Sequence, residues 1–314
     1  MVSKKARAVA YQALALAAVA AALWFLISNT AANLEARRIA SGFSFLQREA
    51  GFEIGETFFL RYSAGDSYLR ALAVGLTNTL TVAAIGIVVA TLLGGLIGLA
   101  RLAPNALLRA LAAAYVEFLR NVPLLVQLFF WYALITQALP HPRAALEALP
   151  GVFLTNRGIF LPLPGSVPRL EGFNFTGGAA LTPEFAALLF GLITYTAAFI
   201  AEIVRAGVLS IERGQIDAAN ALGLRRGQTT RLVVLPQALR VIVPPLTSQY
   251  LNLTKNSSLA VAIGFPDLVS IANTTINQTG QAIEGVALIM AVYLTVSLAI
   301  SALMNWYNAR LRPR

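Results

Sequence analysis

Lys255-Asn256-Ser257-Ser258 closes an apolar stretch interrupted by Pro236, Pro244 and Pro245, and Lys255 is the only lysine beyond Lys4 and Lys5. An ammonium among apolar residues is costly against lipid, so a membrane-embedded charge faces a cavity, a partner or an aqueous path. There it would neutralise a carboxylate, and Asn256, Ser257 and Ser258 would add donors and acceptors. Their side chains also compete for backbone hydrogen bonds, which favours a break in the helix. Broken helices line membrane substrate sites because the freed backbone groups can serve a ligand. The alternative is that Lys255 snorkels to the outer interface, with residues 256–258 starting a loop. Glu202 with Arg205, and Glu117 with Arg120, stand at i,i+3, the spacing of neighbours on a helix. They read either as structural locks at the membrane–cytosol boundary or as gating pairs. With no cysteine, disulfides, thiol catalysis and thiolate metal sites are excluded. The single histidine, His141 between Pro140 and Pro142, is given no role, so no metal site and no catalytic residue is assigned.

The elements that must position these groups are apolar. Hydrophobic residues make up 57% of the 314-residue chain and charged residues 12%, far from the soluble average. Runs long enough to cross about 30 Å of hydrocarbon recur at residues 9–27, 72–100, 122–139, 185–204, 232–253 and 285–307. The sequence therefore predicts an all-α, polytopic membrane helix bundle of about six spans. Residues 1–71 supply an N-terminal span and an outer loop with an interfacial helix, and residues 72–314 supply the core. Gly94 and Gly98 give the second run the small residues that let helices approach closely. The formal charge of +10 does not call for nucleic acid, because the basic residues sit at the ends of the runs. The segments assigned to the cytosol hold fourteen of the 24 Lys and Arg, and the longer outer segments (29–70, 140–182 and 256–283) hold eight. The positive-inside rule then puts both termini in the cytosol. The insertion at 140–182, dense in proline and glycine, reads as an outer excursion with a short hairpin.

One polar interruption, the loop at 211–236, has an internal design. Asp217 is a candidate N-cap, Ala218, Ala219, Ala221 and Leu222 are helix formers, and Gly223 supplies a stop. The product is a short surface helix flanked by Arg213, Arg225 and Arg226. The spacing Asp217-Ala218-Ala219, Gly223, then Val233-x-Leu235-Pro236 resembles the signature of permease subunits of bacterial binding-protein-dependent ABC importers. Asp217 and Val233 replace the family's Glu and Ile. Asn78-Thr79-Leu80, residues 117–127, 201–207, 235–240 and 255–259 look like its polar amino-acid branch. The amino-terminal span and long outer loops are similar to those of general L-amino-acid members.

The resemblance implies a type I ABC importer fold that moves L-amino acids across the cytoplasmic (inner) membrane by alternating access. Asp217, Ala218, Ala219, Gly223, Arg225 and Arg226 would dock on an ATP-binding subunit, and Lys255 to Ser258 would line the substrate pathway. Further partners would be a periplasmic amino-acid-binding protein, a second and homologous permease forming a heterodimer, and membrane lipid. Relatives carry Asp where Asn256 stands, which implies that this chain is not built for cationic amino acids alone. A phosphate-binding Gly-x-x-x-x-Gly-Lys-Ser/Thr loop is absent, since Lys255 follows Thr254. ATP and Mg would therefore bind the partner, and this chain would not be an enzyme. The rival reading is an ion-coupled secondary carrier working without an ATPase. It would need an acid deep in a span, and Glu202 is the candidate.

Overall fold

The structure, a computed structural model, describes residues 4–36 and 41–311. Helix α1 spans Lys4–Ala36, longer than the apolar run itself. All its described side chains are exposed, Trp24 at 76%, as suits a helix bathed in lipid. The segment at 41–67 follows. Instead of an interfacial helix it forms a 3-10 turn, Ser44–Gln47, whose Phe45 is buried against Tyr68.

Helix α2, Tyr68–Ala100, starts at an N-cap in which Ser67 Oγ accepts from the Arg70 N–H. Its 33 residues give a rod of about 50 Å. The third run holds α4, Leu124–Ala133, extended by a π turn over Leu134–Ala138, and it forms a bent pair with a helix that precedes the run, α3, Ala106–Asn121. The two halves meet at 104°. Pro123 causes the break, because its ring disfavours helical geometry at Val122. Gln127 Nε2 then donates to the carbonyls of Leu119 and Val122, at 3.0 Å each, satisfying groups the break leaves open.

The stretch expected to hold one hairpin carries six strands. They are β1 Leu146–Leu149, β2 Val152–Thr155, β3 Gly158–Leu161, β4 Arg169–Glu171, β5 Asn174–Thr176 and β6 Ala179–Leu181. An antiparallel sheet runs β1-β2-β3-β6, and β4-β5 is a separate hairpin. Phe175 of that hairpin stacks on Phe153 and packs on Phe160 of the sheet.

Helix α5, Pro183–Leu209, is capped by Thr182 and leads to α6, Arg213–Ala221, and the short α7, Arg226–Thr229. A π turn, Thr230–Val234, passes into α8, Leu235–Asn256. Residues 256–283, expected outside the membrane, are not a loop. They continue as a 3-10 helix, Ser257–Ile263, turn at Gly264 with φ +81°, and form α9, Leu268–Thr279, packed on α2. Its polar residues lower the hydropathy, but Ile271, Ala272 and Thr275 are buried in protein. Helix α10, Ala282–Leu311, closes the chain. Among the described residues, four helices are long and apolar enough to cross a membrane, or up to six spans if each bent pair counts as one.

The most extensive helix–helix contact among the described residues is α2 on α5. A Cβ at Gly94 would lie 2.7 Å from the Ala197 carbonyl oxygen, and one at Gly98 would lie 2.7 Å from that of Ala201. The two glycines therefore face two alanines at the same four-residue spacing.

Candidate functional site

Helix α6 begins one turn earlier than the sequence suggested. Glu212 occupies the N-cap position, and the Gln215 N–H reaches its carbonyl at 3.1 Å. Asp217 is thus mid-helix and exposed, not a cap, because Arg213 to Ile216 already hold helical geometry. The stop is as expected. Gly223 has φ +77°, its N–H donates to the Asn220 carbonyl at 2.9 Å, and the Leu224 N–H donates to the Ala219 carbonyl at 3.1 Å. This 6→1 and 5→2 pair is the Schellman closure. Ala219 is buried against the following turn, whereas Asp217, Ala218, Gly223, Arg225 and Arg226 are exposed. Leu222, 83% exposed, stands at the tip. The Arg225 N–H donates to Gln228 Oε1, and Gln237 Nε2 reaches Gln215 Oε1 at 2.6 Å, tying α6 to the start of α8. The loop is a compact knob with an exposed leucine at its tip and exposed charges around it.

Glu202 and Arg205 pair as the spacing implied, with Arg205 Nε 3.2 Å from each carboxylate oxygen. Arg101, at the C-cap of α2, binds the same carboxylate from the other side. Sequence reasoning missed Arg101 because nothing local pairs α2 with α5. The facing small residues at Gly94 and Gly98 were the available hint. No ion pair joins Glu117 and Arg120. Arg120 lies over the Phe199 ring, 5.0 Å from its centroid, and Glu117 is exposed.

Lys255 and its neighbours stay within the helical chain. Ser257 Oγ donates to the Thr254 carbonyl and Ser258 Oγ to that of Lys255, at 2.7 Å each, and there the α-helix tightens to 3-10. Lys255 is exposed on this single chain, Asn256 and Ser258 are half-buried, and Ser257 is buried. The depth is set by Leu253, which fills the notch at Gly86, midway along α2. A further 3-10 segment and all of α9 separate Lys255 from the sheet end of the bundle. The loop start at 256–258 that accompanied the snorkelling alternative is not formed, since these residues are helical.

A second polar place was not foreseen. A cavity of about 340 Å³ opens beside the bend between the 3-10 segment and α9, lined by Glu53, Glu56, Thr182, Glu184, Pro266 and Ser270 among others. The Thr182 hydroxyl donates to Glu56 Oε1, and Glu56 Oε2 is buried without a hydrogen-bond partner. Burial pushes the Glu56 carboxyl up to about 7, opposed by the Thr182 hydrogen bond and reinforced by the Glu184 charge. Tyr132 Oη donates to Glu184 Oε1 at 3.1 Å. In sequence, Glu53 and Glu56 lie in the segment read as an outer loop.

Residues 86–314, from mid-α2 to the end of the chain, match the family described as binding-protein-dependent transport system inner membrane component. The chain belongs to that family. It is an inner-membrane permease subunit. Among curated relatives, it is 45% identical to YhdX of Escherichia coli (strain K12), named as a candidate amino-acid ABC transporter permease, covering 97% of this chain and 94% of that protein. It is 41% identical to the general L-amino acid transport system permease protein AapQ of Rhizobium johnstonii, covering 99% and 94%. A solved amino acid ABC transporter with histidines shares the fold at a TM-score of 0.58 and 27% identity, covering 77% of this permease and 95% of that chain. The six-span bundle with its short loop helix is thus the type I ABC importer fold.

Proposed function

We propose that this permease moves L-amino acids across the inner membrane by alternating access, driven by ATP hydrolysed on a separate subunit. The observation that carries the reading is the α6 knob, a Schellman-capped helix with Leu222 exposed at its tip, in a chain of this family. Such a shape suits a groove on a cytosolic ATP-binding partner, and in this reading the α6 end of the bundle and both termini face the cytosol, in keeping with the positive-inside rule. ATP and Mg belong to that partner, and this chain transduces without catalysing. A homologous second permease forms the other half of the pathway, a periplasmic binding protein delivers the solute at the sheet end, and lipid surrounds α1. Relatives named for general L-amino-acid transport support the substrate class.

Within the bundle, Lys255 takes the substrate carboxylate, with Asn256, Ser257 and Ser258 beside it. An exposed ammonium at mid-depth on one permease is stable if it faces an aqueous path between two permeases. Proteoliposomes test the whole reading. Radiolabelled amino-acid uptake should need the ATP-binding subunit and internal ATP, whereas uptake by this chain alone under an ion gradient would establish the ion-coupled carrier instead. Lys255→Ala should lower uptake by at least about tenfold, the loss of a charge-assisted hydrogen bond worth about 1.5–3 kcal/mol. Unchanged uptake by an assembled variant would move the substrate site to the partner permease.

A further inference from the structure

We propose that Arg101 is a positioning residue: by binding Glu202 it makes α2 travel with α5, so that a displacement of α6 reaches the broken span that carries Lys255. The proposal rests on the coupling role given to α6 above.

The load path can be followed by contacts. From α5 to α6 the link is short and tied back, with Ser210 Oγ donating to the Gly207 carbonyl at 2.8 Å and the Ser210 N–H to that of Ala206. A push on α6 is therefore a push on the end of α5. Directly, α5 grips α8 near the α6 end, where a Cβ at Gly207 would fall 2.3 Å from Ile242 Cγ1. Further along, the broken span is held by α2 as well as by α5, whose Phe185 stacks on Phe265 at 5.7 Å between centroids. Leu253 seats on Gly86, Thr91 Oγ1 and Tyr250 Oη are hydrogen-bonded at 3.0 Å, and Asn78 Nδ2 donates to the Pro266 carbonyl at 2.9 Å. The Leu268 N–H, at the start of α9, donates to Thr79 Oγ1 at 3.1 Å. Lys255 lies inside this α2-held stretch, so α2 is one route, beside the direct packing of α5, by which motion of α5 reaches it.

Two devices make α2 follow. The Gly94 and Gly98 seam holds the backbones close by dispersion contacts, each of which is individually tiny. The Arg101–Glu202 bond is the charge-assisted, directional tie, and it stands at the end of the seam nearest α6. Arg205 binds the same carboxylate from within α5 and so orients Glu202, but only Arg101 carries the bond across to another helix. The Arg101 side chain is 14% exposed, so water competes weakly for it.

The test uses the complete complex, this permease with its ATP-binding subunit, partner permease and binding protein, in proteoliposomes supplied with a mixture of radiolabelled L-amino acids. The readout is uptake per ATP hydrolysed. Arg101→Ala should lower that ratio roughly five- to tenfold, the lower part of the usual range for coupling between sites, without moving the thermal midpoint of the complex. Arg101→Lys should keep most of it. A wild-type ratio in Arg101→Ala would overturn the proposal. Should Arg101→Ala fail to assemble, the exchange of Arg101→Glu with Glu202→Arg decides. Assembly with a recovered ratio supports the tie, whereas assembly without recovery, or no assembly, overturns it. A wild-type complex whose uptake ignores ATP would remove the α6 reading and this proposal together.

Discussion

The α2–α5 seam and the α8–α9 broken span are built on opposite plans. Along the seam, Gly94 and Gly98 leave no room even for a methyl group, and an ionic cluster closes one end. The broken span changes from α to 3-10 at Ser257, turns at Gly264 and restarts behind Pro266 at 52° to its first part. A 340 Å³ cavity lies beside the bend. Close packing of small residues transmits displacement with little give, whereas a helix broken at glycine and proline can change angle without stretching its remaining hydrogen bonds. One region can therefore serve as a lever and the other as the part that the lever reshapes.

The largest effect should come from breaking the seam. Gly94→Leu forces a side chain into the Ala197 carbonyl and Ile200, and should cost about 1–3 kcal/mol or more, seen as lost assembly or a lowered thermal midpoint of the purified complex. Gly95→Leu, at a position with open space around its Cβ, is the control and should stay within about 0.5 kcal/mol. Equal behaviour of the two variants would break the contrast between lever and hinge.

A smaller structural cost with a large functional one is expected at Gly223. The space around it is open, but φ +77° favours glycine, so Gly223→Trp should cost this chain only about 1–2 kcal/mol. Because the indole would occupy the docking side of α6, stimulation of ATP hydrolysis by binding protein and substrate should fall while membrane insertion persists. Normal coupling in that variant would remove α6 from the lever.

The smallest effect concerns the cavity beside the bend. The Glu56 carboxyl lies near 7 in the fold against an ordinary 4.5, so the native state binds the extra proton between those values. Stability contributed here is complete below about pH 4.5 and is lost as pH rises through about 7. Hydrogen exchange of residues 41–67 should accelerate across that window, and Glu56→Gln should flatten the dependence. An unchanged pH profile in Glu56→Gln would place the titration elsewhere.

By itself the sequence determined whatever depends on neighbours along the chain. Hydropathy marks the helices that carry wholly apolar runs, Gly223 marks the end of α6 because only its backbone favours the reversal there, and Glu202 with Arg205 pair within one helix. The tertiary structure alone decided the rest. Arg101 acquires its role because small residues on α2 and α5 draw together groups 101 residues apart in the chain. The polar α9 is half of a span because protein, not lipid, covers it, a distinction that averaged hydropathy does not register. Asp217 lies mid-helix because the helix closes a turn earlier, at Glu212, and Glu56 becomes a buried acid only when Thr182 and Glu184 fold against it. For Arg101, α9 and Glu56 the deciding term is packing and solvation by distant parts of the chain, which residue order along a single segment does not encode.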